Sequence, residues 1–109
     1  MRRHATKTAL AAIVFAAGLT TGAGAQDAIK VGVIQPLTGA FAASGNYVAN
    51  GAKIAADEIN AKGGVLGKKL NLVIEDNKSN PTEAAAVAEK LIVRDKVPVM
   101  MGAWGSGFT

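Results

Sequence analysis

The chain has 109 residues, half of them apolar, no cysteine and a formal charge of +4. That length fits one small domain or part of a larger one and excludes two full domains. Arg2, Arg3 and Lys7 supply three of the positive charges, and the near-neutral remainder offers no basic stripe for a phosphate backbone, which argues against nucleic-acid binding.

Residues 1–25 carry the tripartite pattern of a secretory leader. Arg2 and Arg3 give a cationic start, residues 9–19 form an apolar run, and Ala23, Gly24 and Ala25 supply the small side chains that a signal peptidase accepts. Cleavage before Gln26 is the expectation. A retained membrane anchor needs nearer twenty apolar residues, and Thr20, Thr21 and three glycines dilute this segment. The residues after Arg2-Arg3 do not continue a twin-arginine pattern, so ordinary export into a bacterial periplasm is expected. With no cysteine there is neither a disulfide nor a lipid-modified amino terminus, and stability must come from a core.

After the leader, short β-branched runs alternate with helical stretches. Ile29 to Ile34 reads as a strand that ends at Pro36, which has no N–H for a ladder. Val48, Ala52, Ala55 and Ile59 recur at helical spacing, predicting an amphipathic helix that stops at Gly63-Gly64. Gly51 inside it is explained by packing or by a close backbone contact beneath it. Leu70 to Ile74 reads as a second strand, with Glu75 and Asp76 solvated or bound to backbone groups at its end. A second helix is announced by Asn80 as cap, Pro81 at the first position and Glu83 three residues after the cap, with Ala84, Val87, Ala88, Leu91 and Ile92 as its apolar face. Val97 to Met101 predicts a third strand that runs into a loop of Gly102, Ala103, Trp104, Gly105, Ser106 and Gly107.

The order β-α-β-α-β implies an α/β fold with parallel strands and right-handed crossovers. With strand order 2-1-3, as in flavodoxin-like sheets, the crossovers run in opposite directions and open a crevice at the carboxyl ends of the strands, where such sheets bind ligands. Residues 35–46 and 102–109 would border it. The sequence stops directly after the second of these loops, so the expectation is the leading piece of a longer protein.

The segments Val31 to Gly39, Asn50 to Ala52 and Ala56 to Gly67 resemble the branched-chain amino acid (Leu/Ile/Val) binding proteins of bacterial ABC importers, and the resemblance extends over residues 29–109. It implies a type I periplasmic binding protein of two α/β lobes, of which residues 26–109 would form the opening part of the first. It further implies a monomer without a cofactor that captures an amino acid, or a related small carboxylate or amide, and delivers it to a membrane permease and its ATPase. Ser106 matches a serine that binds the ligand's α-carboxylate, in a loop where Gly105 and its neighbours let backbone N–H groups converge on an anion. Trp104 matches an apolar ligand contact, and Ser44 stands where relatives place an aromatic over the pocket. Without the resemblance, Ser106 reads as a solvated turn serine and Trp104 as core. Ser79 and Gly105 occupy the places of a disulfide found in some members, so hydrogen bonds and packing must hold the Ser106 loop.

Rival functions lack their residues. The glycine loop has neither dinucleotide nor P-loop spacing. The only histidine is His4 in the leader, which leaves a serine nucleophile without a histidine base and a metal without His or Cys ligands. Adjacent Glu75 and Asp76 point to opposite faces of a strand, not into one acid–base pair. The same fold also serves as the extracellular sensing part of receptors or as a regulator, and that alternative stays open on the sequence.

Overall fold

The computed structural model describes residues 27–109; the expected leader, residues 1–25, lies outside the described residues. Three parallel strands form one sheet in the order β2-β1-β3. Strand β1 spans Ile29–Gln35, β2 Leu70–Asp76 and β3 Val99–Met101; helix α1 spans Ala42–Ala61 and α2 Pro81–Glu89. β1 pairs with β2 along its whole length, from Ile29 opposite Leu70 to Gln35 opposite Asp76, whereas only Val31, Gly32 and Val33 pair with β3.

Side-chain alternation along β1 and β2 sorts the two helices onto opposite faces. Ile34 packs with Val87 and Leu91, joined by Val73, on the α2 side. Leu72 and Ile74 instead border a groove with Ala56, Asp57 and Asn60 of α1. The expected reversal of crossover direction is therefore present, and β1 is its switch point.

Helix α1 begins six residues before Val48, and its buried line is Gly45, Ala49 and Ala56 rather than Val48, Ala52, Ala55 and Ile59. Ala55 and Ile59 are exposed. The reason is the distance of approach: a Cβ on Gly45 would lie 2.1 Å from the carbonyl oxygen of Pro36, so only the smallest side chains fit along the contact. The close contact expected beneath Gly51 belongs to Gly45, since Gly51 faces open space. At the other end, Asn60 closes α1 onto the sheet by pairing with both backbone groups of Leu70: its amide donates to the carbonyl at 2.9 Å and its oxygen accepts from the N–H at 2.7 Å. Gly63 and Gly64, both at positive φ, then turn the chain back.

Helix α2 starts as its sequence predicts. Asn80 is extended, and its side-chain oxygen accepts from the N–H groups of Thr82 and Glu83, with Pro81 in the first turn. Glu83 departs from a full capping box and pairs with Lys78 at 3.2 Å. The helix continues as a π-helical turn over Lys90–Arg94, where the Asp95 N–H reaches the carbonyl of Lys90 five residues back. This turn seats the fully buried Leu91 against Gly32, where a Cβ would crowd Leu91, Met100 and Val97 to about 3.0–3.2 Å. Lys90 pairs with Glu75 and, at 3.7 Å, with Asp95. The Glu75 hydrogen bond raises the Lys90 pKa against an opposing desolvation. Val97 and Pro98 stay outside β3, which is shorter than the sequence run because Pro98 has no N–H to give. Among the described residues no helix is long and apolar enough to cross a membrane.

Candidate functional site

Three loops leave the carboxyl ends of the strands, and a continuous set of hydrogen bonds joins them. Gln35, the last residue of β1, is 1% exposed. Its carbonyl accepts from the Asn77 N–H at 3.1 Å, tying it to the loop after β2. Its side chain reaches the other way, donating from Nε2 to the Gly102 carbonyl at 2.8 Å and accepting at Oε1 from the Trp104 N–H at 3.0 Å. Both contacts fix the orientation of the amide, since a flipped group would set donor against donor and acceptor against acceptor.

Asp76 performs the corresponding task between the loops after β1 and β2. Its carboxylate accepts from the N–H groups of Leu37 and Thr38 at 2.8 and 3.2 Å, from the Thr38 hydroxyl at 2.6 Å and from the Lys78 N–H at 2.7 Å. Desolvation pushes its pKa up, but the hydrogen bonds from Thr38, Lys78 and Leu37 together outweigh it and hold the carboxyl below the ordinary aspartate value. Ser79 completes the junction, donating to the Thr38 carbonyl at 2.7 Å and accepting from the Phe41 N–H at 3.1 Å. That second bond satisfies the N–H of Phe41, the residue capping α1, which makes no side-chain cap of its own.

On this platform Phe41 meets the loop after β3. Its ring lies 5.4 Å from that of Trp104 and 5.6 Å from that of Phe108, the latter edge to face. Trp104 remains 43% exposed among the described residues. Gly105 follows at φ 101°, a conformation that favours glycine, and a Cβ there would press on the Phe108 ring at 3.0 Å. Ser106 opens a short 3-10 turn, Ser106–Phe108, and is exposed. Of the four residues singled out from the sequence, Trp104, Gly105 and Ser106 thus stand together in one loop. Ser44 is half-buried in the first turn of α1. Phe41, Gln35 and Asp76 carry the architecture of the site; backbone binding was one of two readings of Asp76 from the sequence, and neither Phe41 nor Gln35 was singled out there.

An apolar groove of about 380 Å³ lies on the α2 face, bordered by Ile34, Ala84, Ala88, Met100, Met101 and Phe108. Neither Trp104, Ser106 nor Ser44 lines it, so its shape says nothing about a ligand at the loop junction. The loop after β3 offers the Ser106 and Thr109 hydroxyls and the rings of Trp104 and Phe108, and residues 99–109 carry no charged side chain. Hydroxyls and main-chain N–H groups of a glycine-bearing loop can hold a small anion or amide.

A family model described as periplasmic binding protein matches residues 28–109. The chain belongs to the periplasmic binding protein family. Within that family it is similar to a Leu/Ile/Val-binding protein of Rhizobium johnstonii, with 44% identity over 79 residues that cover 72% of this chain and 21% of that one. The leucine-specific-binding protein of Salmonella typhimurium is 43% identical over 102 residues, covering 94% of this chain and 27% of that one. Among solved structures, the branched-chain amino acid transporter substrate binding protein LivJ from Streptococcus pneumoniae, in complex with isoleucine, superposes with a TM-score of 0.74 at 41% identity, over 75% of this chain and 24% of that chain. The chain therefore spans 21–27% of the length of these relatives. Its parallel β-α-β-α-β order and 2-1-3 sheet are those of a type I periplasmic binding protein. The relatives in this periplasmic binding protein family are named as binding proteins of transporters, not as enzymes.

Proposed function

We propose that residues 26–109 form the opening part of the first lobe of an ABC importer's substrate-binding component, exported by a cleaved leader and working as a monomer in the periplasm. It captures a branched-chain-type amino acid, or a related small carboxylate or amide, without chemical change. It then presents the ligand to a membrane permease and its ATPase. The observation that carries this reading is the loop junction at the switch point of the sheet, where the Trp104–Gly105–Ser106 segment is held against Phe41 beyond the carboxyl ends of the strands. The names of the Rhizobium and Salmonella relatives and the isoleucine in the LivJ complex support the ligand class.

In this reading the ligand carboxylate meets the Ser106 hydroxyl and the N–H groups beside Gly105, while Trp104 faces the ligand side chain and Ser44 borders the pocket from α1. Calorimetry on the binding protein that carries these residues, titrated with Leu, Ile, Val, aromatic amino acids and short amides, tests it. Ser106→Ala removes one hydrogen bond to a charged group, worth about 1.5 kcal/mol or roughly tenfold in affinity for a carboxylate ligand. Unchanged affinity overturns the site, and an exported form that starts at Met1 instead of Gln26 overturns the leader.

A further inference from the structure

The side chain of Gln35 is buried, yet it belongs to no apolar cluster. Both of its polar atoms are used on backbone groups 67 and 69 residues away, the Gly102 carbonyl and the Trp104 N–H. β1 pairs with β3 only as far as Met101. Past that point the main chains have parted, and the Gln35 amide fills the gap with one donated and one accepted bond, as a further strand residue would. Its own backbone carbonyl is meanwhile held by Asn77. Residue 35 therefore joins all three loops by hydrogen bonds, and the Trp104 N–H it holds is two residues before Ser106.

We propose that Gln35 is a positioning residue that sets the affinity of the site by clamping the loop of Gly102, Trp104 and Ser106 in its binding geometry; this rests on the placement of the ligand at that loop. A glutamine is required because the clamp needs a donor and an acceptor side by side. A neutral isostere without them, such as methionine, fills the space and leaves the part-buried Gly102 carbonyl and Trp104 N–H without their partner. A glutamate satisfies both only when protonated, with its O–H donating to Gly102 and its carbonyl oxygen accepting from Trp104. Once ionised, it turns acceptor against acceptor at Gly102.

That requirement gives a pH signature that mere space filling lacks. At position 35, burial and the Gly102 carbonyl both disfavour the carboxylate and raise its pKa. The charged neighbour across β2 is Asp76, whose pKa is held low, so it stays ionised through the range and pushes the same way. Lys78 beyond it is turned to Glu83. Neither residues 99–109 nor the first turn of α1 contributes a charged side chain. The protonated clamp is present below the raised pKa and is lost as pH rises through it, a window of about pH 5–8 for a buried glutamate.

The test measures amide hydrogen exchange at Trp104, with the Val33 amide of β1 as a fold control, and ligand affinity relative to wild type at each pH. Gln35→Glu should match wild type within about threefold at pH 5, then lose about tenfold in affinity and gain Trp104 exchange by pH 8. Gln35→Met should show fast Trp104 exchange and about tenfold weaker binding at every pH, with Val33 still protected. Exchange that follows pH beside an affinity ratio that does not keeps the clamp and overturns the placement of the ligand at Ser106. Slow Trp104 exchange in Gln35→Met, or a Gln35→Glu profile parallel to wild type in both readouts, overturns the role of Gln35.

Discussion

The carboxylate of Asp76 accepts four hydrogen bonds from the loops after β1 and β2, so two segments that depart from neighbouring strands are folded around one charge. Because those bonds stabilise the ionised form, the folded-state pKa lies below the unfolded value near 3.8. The sign follows from that order: the stabilisation is fully present above the unfolded pKa and is lost as pH falls through the lower folded one. The group is partly open to solvent, which limits the effect of Asp76→Asn to a loss of about 1 kcal/mol at pH 7. Urea unfolding of both proteins at pH 7 and at pH 3 should show the gap narrowing at the lower pH. A gap that is the same at both would mean that the charge is not what organises the loops. The sequence supports a backbone-binding role for the acidic pair at the end of β2, but not which backbone. Leu37 and Thr38 lie almost forty residues earlier, and only the register of two parallel strands brings them there. Gln35 was hidden for the same reason, since a polar residue before a proline reads as a strand end until its partners at Gly102 and Trp104 are folded against it.

Helix α1 separates two glycines that look equivalent in the sequence. At Gly45 an added methyl group would strike the Pro36 carbonyl, a backbone atom that cannot move aside without displacing the loop that carries Thr38 and Phe41. At Gly51 the same methyl enters open space in a helix interior. Gly51→Ala should therefore stabilise by about 0.5–1 kcal/mol through helix propensity alone, whereas Gly45→Ala should destabilise by about 1–3 kcal/mol in spite of that gain. Thermal unfolding of the two variants decides it, and the same sign for both would refute the close approach of α1 to β1. The periodicity that marked this helix was right about its existence and rotated about its buried face. Bulky residues announce a stripe most clearly, yet the tightest contact here is made by glycine and alanine. Its start was missed because the cap is not local: Ser79, on another loop, bonds the Phe41 N–H. Helix α2, whose cap is local in Asn80, begins where its sequence says.

Among the described residues, the hydrogen bonds that join the three loops gather at the carboxyl end of the sheet, while the outer edge of β3 is bare. β3 presents one edge to β1 and is unpaired on its other edge among the described residues, with Val99 51% exposed. The groove beside it, between α2 and residues 100–109, is walled by alanine, methionine and phenylalanine. An unpaired edge next to an open apolar groove is a template for association with another chain. This chain spans about a quarter of the length of its relatives, and in the proposed reading further lobe structure is the cover for both. Produced from Gln26 to Thr109, the chain should bind an apolar dye such as anilinonaphthalene sulfonate and sediment as concentration-dependent oligomers. Val99→Lys sets a charge on that edge outside the platform of Gln35, Asp76 and Ser79, and should shift the distribution toward monomer while the Trp104 N–H stays protected. Association unchanged by Val99→Lys would place the sticky surface elsewhere, on the exposed Ile92 and Val93 of the π-helical turn. Loss of Trp104 protection along with association would instead mean that the platform depends on β3's outer edge. The separation matters for the binding reading, because it tells whether the loop junction held by Gln35 and Asp76 keeps its geometry when the rest of the sheet is uncovered.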